Sequence, residues 1–205
     1  MKGEIAVLGG SFNPPHYGHL TVAKEVLKSL KCDEVWLLPC FKQAEGKKIE
    51  KAKHRLAMVK LAVKGLKQKR IKASDLEIRF LKNKNYTADT VRFLKKRFPK
   101  TQFYWVFGSE LVKDFPKWSK WKELRKLLPL VIYPRPGVRK PSKKFLKKLG
   151  AKLVWLPSTV KQSDVSSTEV RAFLKSKDVR VKKLIPPTAF DYVSKHGLYG
   201  WKVKK

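Results

Sequence analysis

The sequence predicts an α/β fold: a doubly wound, mainly parallel sheet with a small helical C-terminal region. Three observations carry this expectation. Short apolar, β-branched or aromatic runs alternate with helix-period segments along the 205 residues. A Gly-Gly turn, Gly9-Gly10, joins the first such run to the first helical segment. A hydrophobic content of 42% over this length can fill a proper core, so residues 1–205 read as one domain. Alternation of strand and helix implies βαβ crossovers, hence parallel strands with helices packed on the faces.

In chain order, strands are expected at Glu4–Leu8, Val35–Leu38, Ile71–Ala73 with Glu77–Phe80, Gln102–Phe107, Leu130–Tyr133 and Leu153–Leu156. Helices are expected near Gly18–Leu30, Ala52–Leu66, Ala88–Phe98, Lys120–Leu128 and Ser142–Leu149. In the first helix Leu20, Ala23, Leu27 and Leu30 make one apolar stripe at helical spacing. Pro134-Arg135-Pro136-Gly137 reads as a turn after a strand. Residues from about 163 to 199 form the helical C-terminal part. Ligands of such Rossmann-like sheets bind at the carboxyl ends of strands, near the switch point, where the Gly9–His19 loop would sit.

Composition excludes some classes. No run approaches the ~18 apolar residues of a membrane span, and Met1-Lys2-Gly3-Glu4 leads straight into a strand, so neither membrane attachment nor a secretory leader is expected. Cys32 and Cys40 have no metal-like spacing and read as free thiols of a reducing cytoplasm. No metal site is expected from the residues. The net charge of +33 invites a nucleic-acid reading. The excess is even, however: residues 1–100 carry 24 Lys+Arg against 9 Asp+Glu, and residues 101–205 carry 25 against 7. It is also mostly lysine, 39 against 10 arginines, whereas specific phosphate recognition favours guanidinium forks. Nucleic acid is therefore expected only as a non-specific electrostatic partner, and the field would concentrate anionic nucleotides.

Two segments carry chemistry. In Gly9-Gly10-Ser11-Phe12-Asn13-Pro14-Pro15-His16-Tyr17-Gly18-His19, the glycines let backbone approach a phosphate chain, and the following helix start offers free N–H groups. His16 and His19 fall on one face of the first helical turn. This is neither G-x-G-x-x-G nor G-x-x-x-x-G-K-[ST]. Nucleotidyl transfer gathers charge on the α-phosphate and the departing pyrophosphate, which fixed donors can meet. Gly9, Gly10, Ser11 and Phe12 could supply backbone N–H groups, and His16 and His19 side-chain donors. The second segment, Ser166-Ser167-Thr168-Glu169-Val170-Arg171, places hydroxyls at a helix start and a guanidinium one turn later. It forms a second anion cradle. Taken alone, each segment also has a plain structural reading: a βα turn with two surface histidines, and an N-cap followed by an exposed arginine.

The first segment resembles the G-G-x-F-x-P-x-H-x-G-H signature of the nicotinamide/nicotinate mononucleotide adenylyltransferases, and Ser166–Arg171 resembles their S-S-T-x-x-R signature. Tyr86-Thr87-Ala88-Asp89-Thr90 is similar to the family's Y-T-x-D-T segment, and Gly108-Ser109-Glu110-Leu111 with Phe115-Pro116-Lys117-Trp118 to its G-x-D-x-L and F-P-x-W stretch. Arg135-Pro136-Gly137, Leu184-Ile185-Pro186 and His196-Gly197-Leu198-Tyr199 extend the likeness over nearly the whole chain, closest to the bacterial nicotinate mononucleotide type. Class I tRNA synthetases share H-x-G-H, but no K-M-S-K-S-like segment occurs here.

The resemblance implies transfer of AMP from ATP to a pyridine mononucleotide with Mg²⁺, releasing pyrophosphate without a covalent enzyme intermediate. It implies that His16 and His19 bind the ATP phosphates, His19 mattering more in the transition state. Ser166, Ser167, Thr168 and Arg171 would grip the β,γ side, and Gly108 and Glu110 would lie near the ribose. Trp118 would stack on the pyridine ring, with Thr87, Ala88 and Arg135 on the mononucleotide side. By its residues alone Thr87 is a helix N-cap and Trp118 a core tryptophan in an aromatic run.

The chain departs from the pattern at two places. Glu110 stands where the family has aspartate, and the loop after the second strand reads Pro39-Cys40-Phe41-Lys42-Gln43-Ala44-Glu45-Gly46-Lys47-Lys48 in place of P-P-H-K. Lys47 could reach the mononucleotide phosphate as a point charge. The alternatives are a related nucleotidyltransferase with another phosphorylated acceptor, or a non-catalytic polyanion-binding protein on the same fold. A pantetheine-phosphate enzyme is disfavoured, because it usually has threonine where His16 stands.

Overall fold

The strands are β1 (Gly3–Gly10), β2 (Glu34–Pro39), β3 (Ile71–Ala73), β4 (Thr101–Gly108), β5 (Leu130–Tyr133) and β6 (Leu153–Trp155). In this computed structural model, which describes residues 3–42, 48–81 and 86–201, they pair in the order β3-β2-β1-β4-β5-β6. Every pairing is parallel. The order reverses direction at β1, whose neighbours β2 and β4 take the chain to opposite edges. A crevice at the carboxyl ends of β1 and β4 follows from that topology. β1 continues through Gly9 and Gly10, past the expected end at Leu8, pairing Gly10 with Pro39 of β2.

The helices are α1 (Tyr17–Leu30), α2 (Ala52–Gly65), α3 (Leu76–Phe80), α4 (Thr87–Arg97), α5 (Trp121–Leu127), α6 (Lys143–Leu149), α7 (Ser167–Ser176) and α8 (Pro187–Lys195). Alternation along β1 explains why both sheet faces are covered. Ala6 and Leu8 join Leu20, Ala23 and Leu27 of α1 in one core, while Ile5 and Val7 join Val91 and Leu94 of α4 and Leu124 of α5 in the other. Each buried valine, leucine or isoleucine among these contributes about 1.5–3 kcal/mol. A third core sets Val170 and Leu174 of α7 and Ala189 and Val193 of α8 against Met58 of α2. The C-terminal helices are thereby fixed beside the sheet. None of the described helices is long and apolar enough to cross a membrane.

One expected strand is a helix. Glu77–Phe80 alternates polar and apolar residues, yet it forms the single turn α3. The sheet edge ends at Ala73, after which the Ser74 N–H still donates to the Leu37 carbonyl (2.9 Å). Beyond that point burial inverts the alternation. Glu77 is 6% exposed, held by polar partners inside, while Phe80 is 50% exposed and stacks on Phe93.

Candidate active site

β1 delivers the Gly-Gly turn to the crevice. A Cβ on Gly9 would collide with the indole of Trp105 on β4, so only glycine lets these strands carry both the turn and that ring. Phe12 then takes a left-handed φ of 48°. That conformation is costly for an aromatic residue, and full burial against the His19 ring (centroids 4.7 Å apart) offsets it.

His16 is the N-cap of α1 with extended backbone. Its N–H donates to His19 Nδ1 (3.2 Å), and the His19 N–H donates to the His16 carbonyl (3.0 Å). Because His19 Nδ1 accepts, its proton resides on Nε2, which is free to donate outward. The two rings lie 3.8 Å apart. Burial, with the Arg135 guanidinium adding to it, lowers His16 to about 3. Burial first, then His16 and Arg135, hold His19 well below the usual histidine range. Both imidazoles are therefore neutral donors at neutral pH. His16 Nδ1 is buried without a partner among the described residues, an arrangement that costs about 1–3 kcal/mol unless a ligand answers it.

Gly18 makes room for this pair. A Cβ there would stand 2.9 Å from His16 Nδ1 and 3.0 Å from Ser163 Oγ.

The two expected anion segments meet. Ser166 caps α7, accepting from the Glu169 N–H (3.2 Å). Ser167 Oγ donates to the Pro14 carbonyl (3.1 Å), and Arg171 Nη1 donates to the Asn13 carbonyl (3.0 Å) while its Nη2 donates to Thr168 Oγ1 (3.2 Å). The α7 start thus grips the backbone just ahead of His16. Asn13 Oδ1 accepts from the Glu50 N–H (3.1 Å) and from the Tyr199 hydroxyl (3.0 Å). Burial raises Tyr199 above the usual phenol range, so that hydroxyl keeps its proton and donates.

A cleft of about 710 Å³ opens on the other side of the same turn. Gly9, Gly10 and Ser11 line it, together with Tyr86, Thr87 and Trp118. Trp118 rests on Phe107 and Phe115, ring centroids 5.2 and 5.5 Å away, so its core contacts and its place on the cleft coexist.

Several expectations need correction. The N-cap of α4 is Tyr86, and Thr87 is the first helical residue, without a side-chain cap bond. Ala88 is fully buried in the core beneath α4, so its methyl is spent on packing and does not line the cleft. Arg135, expected on the mononucleotide side, stands beside the histidines. Its Nη1 donates to the Ser163 carbonyl (2.8 Å), its N–H to Ser109 Oγ (2.9 Å), and its Nε lies 3.9 Å from Glu110 Oε2. Glu110 itself folds back over Gly108, its carboxylate occupying the place a Cβ would take. Lys47 lies outside the described residues.

Sequence reasoning missed four residues at the cleft or its rim. Trp105 and Lys42 line it, Glu77 lines it from α3, and Arg55 is fully buried behind the Ser11 turn. Only Arg55 left a trace, as the lone arginine among the lysines of α2. Cys32 and Cys40 are free thiols, and burial raises both.

The family model described as cytidylyltransferase-like matches residues 7–173. A Streptococcus mutans protein named probable nicotinate-nucleotide adenylyltransferase is 35% identical over 200 residues, covering 97% of this chain and 89% of the relative. Among solved structures, Plasmodium falciparum nicotinic acid mononucleotide adenylyltransferase complexed with NaAD superposes with a TM-score of 0.80 at 26% identity, over 100% of both chains. The same enzyme complexed with APC gives 0.79 at 27% identity, over 98% of this chain and 100% of the other.

Proposed function

We propose, for a chain that belongs to the cytidylyltransferase-like family and within it to the nicotinate-nucleotide adenylyltransferases, that it transfers AMP from ATP to nicotinate mononucleotide. The products are deamido-NAD and pyrophosphate. The observation that carries the reading is a single turn serving two sites. Gly9–Ser11 lines the Trp118 cleft, while the residues that follow present His16 and His19, with α7 held against Asn13 and Pro14.

In this reading ATP lays its phosphates over the start of α1. The helix dipole and the imidazole N–H donors then face the α-phosphate and the bridging oxygen. Neutral imidazoles suit that task, since they add hydrogen bonds that strengthen as negative charge builds. Ser167, Thr168 and the Arg171 guanidinium attend the departing β,γ end. The acceptor sits in the cleft with its pyridine ring against Trp118, a favourable pairing of an electron-poor ring with an indole face. Its phosphate oxygen attacks the α-phosphorus, and the new P–O bond forms as the α–β anhydride bond breaks. Lys42 and Lys117, both on the cleft, favour an anionic acceptor.

Mg²⁺ fits this site as part of MgATP. The described residues contain no group of three or more His, Cys, Asp or Glu able to hold a metal, and the side chains at the turn are donors, which suit phosphate oxygens. Carried on the triphosphate, the ion would supply neutralisation of charge on the pyrophosphate.

The test is turnover of MgATP with nicotinate mononucleotide and, separately, nicotinamide mononucleotide, scoring pyrophosphate and dinucleotide. Product is expected, with the nicotinate form preferred, and His19→Ala should lower turnover about 10²-fold or more, the scale of a lost transition-state donor. Absence of product with both mononucleotides, alongside turnover of another phosphorylated acceptor, would move the chain to a sister activity.

A further inference from the structure

Two buried ionisable side chains stand outside the mechanism above. Arg55, on α2, is 0% exposed, and no carboxylate lies within ion-pair distance among the described residues. Its guanidinium is answered by carbonyls instead. Nε donates to Glu50 O (2.8 Å), Nη1 to Ser11 O (2.6 Å), and Nη2 to Cys40 O (2.6 Å) and Phe41 O (3.0 Å). A buried cation is retained only when its donors are well satisfied, and here the acceptors come from two loops, the turn after β1 and both ends of the connection between β2 and α2.

Glu77 complements it. One carboxylate oxygen accepts from the Phe41 N–H (3.1 Å), and the other accepts from the Thr90 hydroxyl on α4 (3.2 Å). Burial raises this group to about 7, against the smaller pull of its two hydrogen bonds and of Arg55. The peptide of Phe41 is thus held from both sides, its carbonyl by Arg55 and its N–H by Glu77. Cys40 and Lys42, the residues flanking it, line the cleft, and so do Ser11, Thr87 and Glu77 itself.

We propose that Arg55 and Glu77 are positioning residues for the acceptor. Together they lock the loop after β2 against the phosphate turn on one side and the start of α4 on the other, which fixes the width of the mononucleotide cleft. Arg55 ties Ser11 to Cys40 and Phe41, so the triphosphate side and the acceptor side share one rigid joint. Glu77 ties Phe41 to α4, so the wall bearing Lys42 and the wall bearing Thr87 cannot separate. This rests on the adenylyltransferase reading for the identity of the acceptor, but the joint itself does not.

Glu77→Leu and Glu77→Gln in the full-length protein separate the possibilities. Leucine removes both bonds, whereas the glutamine carbonyl can still accept the Phe41 N–H. Glu77→Leu is expected to raise KM for nicotinate mononucleotide about tenfold, the scale of one lost hydrogen bond to a charged group, with KM for ATP changed less than about twofold. Glu77→Gln should recover most of the acceptor KM. Arg55→Lys, which keeps the charge but loses the fork, should raise both KM values, because its bonds reach both sides. Amide hydrogen exchange at Phe41 should quicken at least tenfold in Glu77→Leu and stay near wild type in Glu77→Gln. Equal rises in both KM values for Glu77→Leu, or unchanged exchange at Phe41, would overturn the proposal. Exchange is read without any substrate. If the wild-type protein fails to use either pyridine mononucleotide while Phe41 exchange responds as stated, the functional reading fails and the joint stands.

Discussion

Gly18→Ala puts the geometry of the histidine pair to a direct test. Gly18 is a residue of the first turn of α1, where alanine would ordinarily add about 1 kcal/mol of helix stability. Here the added methyl would stand 2.9 Å from His16 Nδ1, 3.0 Å from His16 Cε1 and 3.0 Å from Ser163 Oγ. Carbon in such contacts needs several tenths of an ångström more. The imidazole has little freedom to yield, since it is 5% exposed and the His19 ring lies 3.8 Å away, tilted 32° to it. Relief must come from moving both rings together. A steric cost of about 1–3 kcal/mol, the range for overpacking, roughly offsets the helical gain, so the melting temperature should move by only a few degrees. Catalysis should respond more strongly. Displacing donors aligned with an oxyanion removes an interaction of about 2.7–4 kcal/mol, so kcat should fall about 10²-fold. Gly65→Ala is the control, because a Cβ there meets only Thr188 Oγ1 at 3.9 Å and should leave turnover unchanged. Steady-state kinetics and thermal melts of the two variants decide it. Should Gly18→Ala turn over within twofold of wild type, the histidines do not act through fixed geometry.

The proton linkage of the site gives two further expectations. His16 drops from 6.5 to about 3 on folding, so the unfolded chain binds its proton first; stability is complete above about pH 6.5 and declines toward pH 3, at about 1.4 kcal/mol per unit. Denaturant melts of His16→Asn should show a shallower loss over that window, and a slope equal to wild type would remove His16 as its source. Glu77 has the opposite sign, rising from 4.5 to about 7, so its cost develops as pH climbs through that interval. Glu77→Gln should therefore gain stability relative to wild type between pH 4.5 and 7, and a constant difference across the range would refute the assignment. Trp118→Leu keeps apolar contact with Phe107 and Phe115 but loses the flat face; KM for the mononucleotide should rise about 3- to 30-fold with KM for ATP little changed. An effect confined to ATP would place Trp118 elsewhere in the reaction.

The strands were legible because a parallel sheet buried on both faces demands short runs such as Ile5–Leu8 and Leu130–Tyr133, which have few other uses. The phosphate turn was legible because glycine beside histidine at that spacing has a narrow set of structural reasons. What escaped was of a different kind. Glu77–Phe80 carries a strand pattern, and only the position of Phe41 and Thr90 in space makes burial of the carboxylate favourable. Arg55 was hidden for the same cause: its partners are main-chain carbonyls of Ser11, Cys40 and Phe41, which no side-chain pattern advertises. The direction of Arg135 was hidden too, because its motif gives its identity and not where its guanidinium points. The chain turns after β5 so that the guanidinium returns to Ser163 and the histidines.

The charge of the chain and the electrostatics of its site pull in different directions, and both fit handling of a triphosphate. A net charge of +33 favours approach of any polyanion. At the turn itself, however, the imidazoles are neutral, because burial and the neighbouring Arg135 make a second and third positive charge there unfavourable. Arg171 already donates to the Asn13 carbonyl of the loop and to Thr168. A site holding several free cations would bind the ground-state triphosphate and the pyrophosphate product as tightly as the transition state, and release would suffer. Neutral donors set at fixed positions grip most where charge is forming. In the proposed reaction the diffuse lysine surface serves capture, and the uncharged histidine pair serves selectivity toward the transition state.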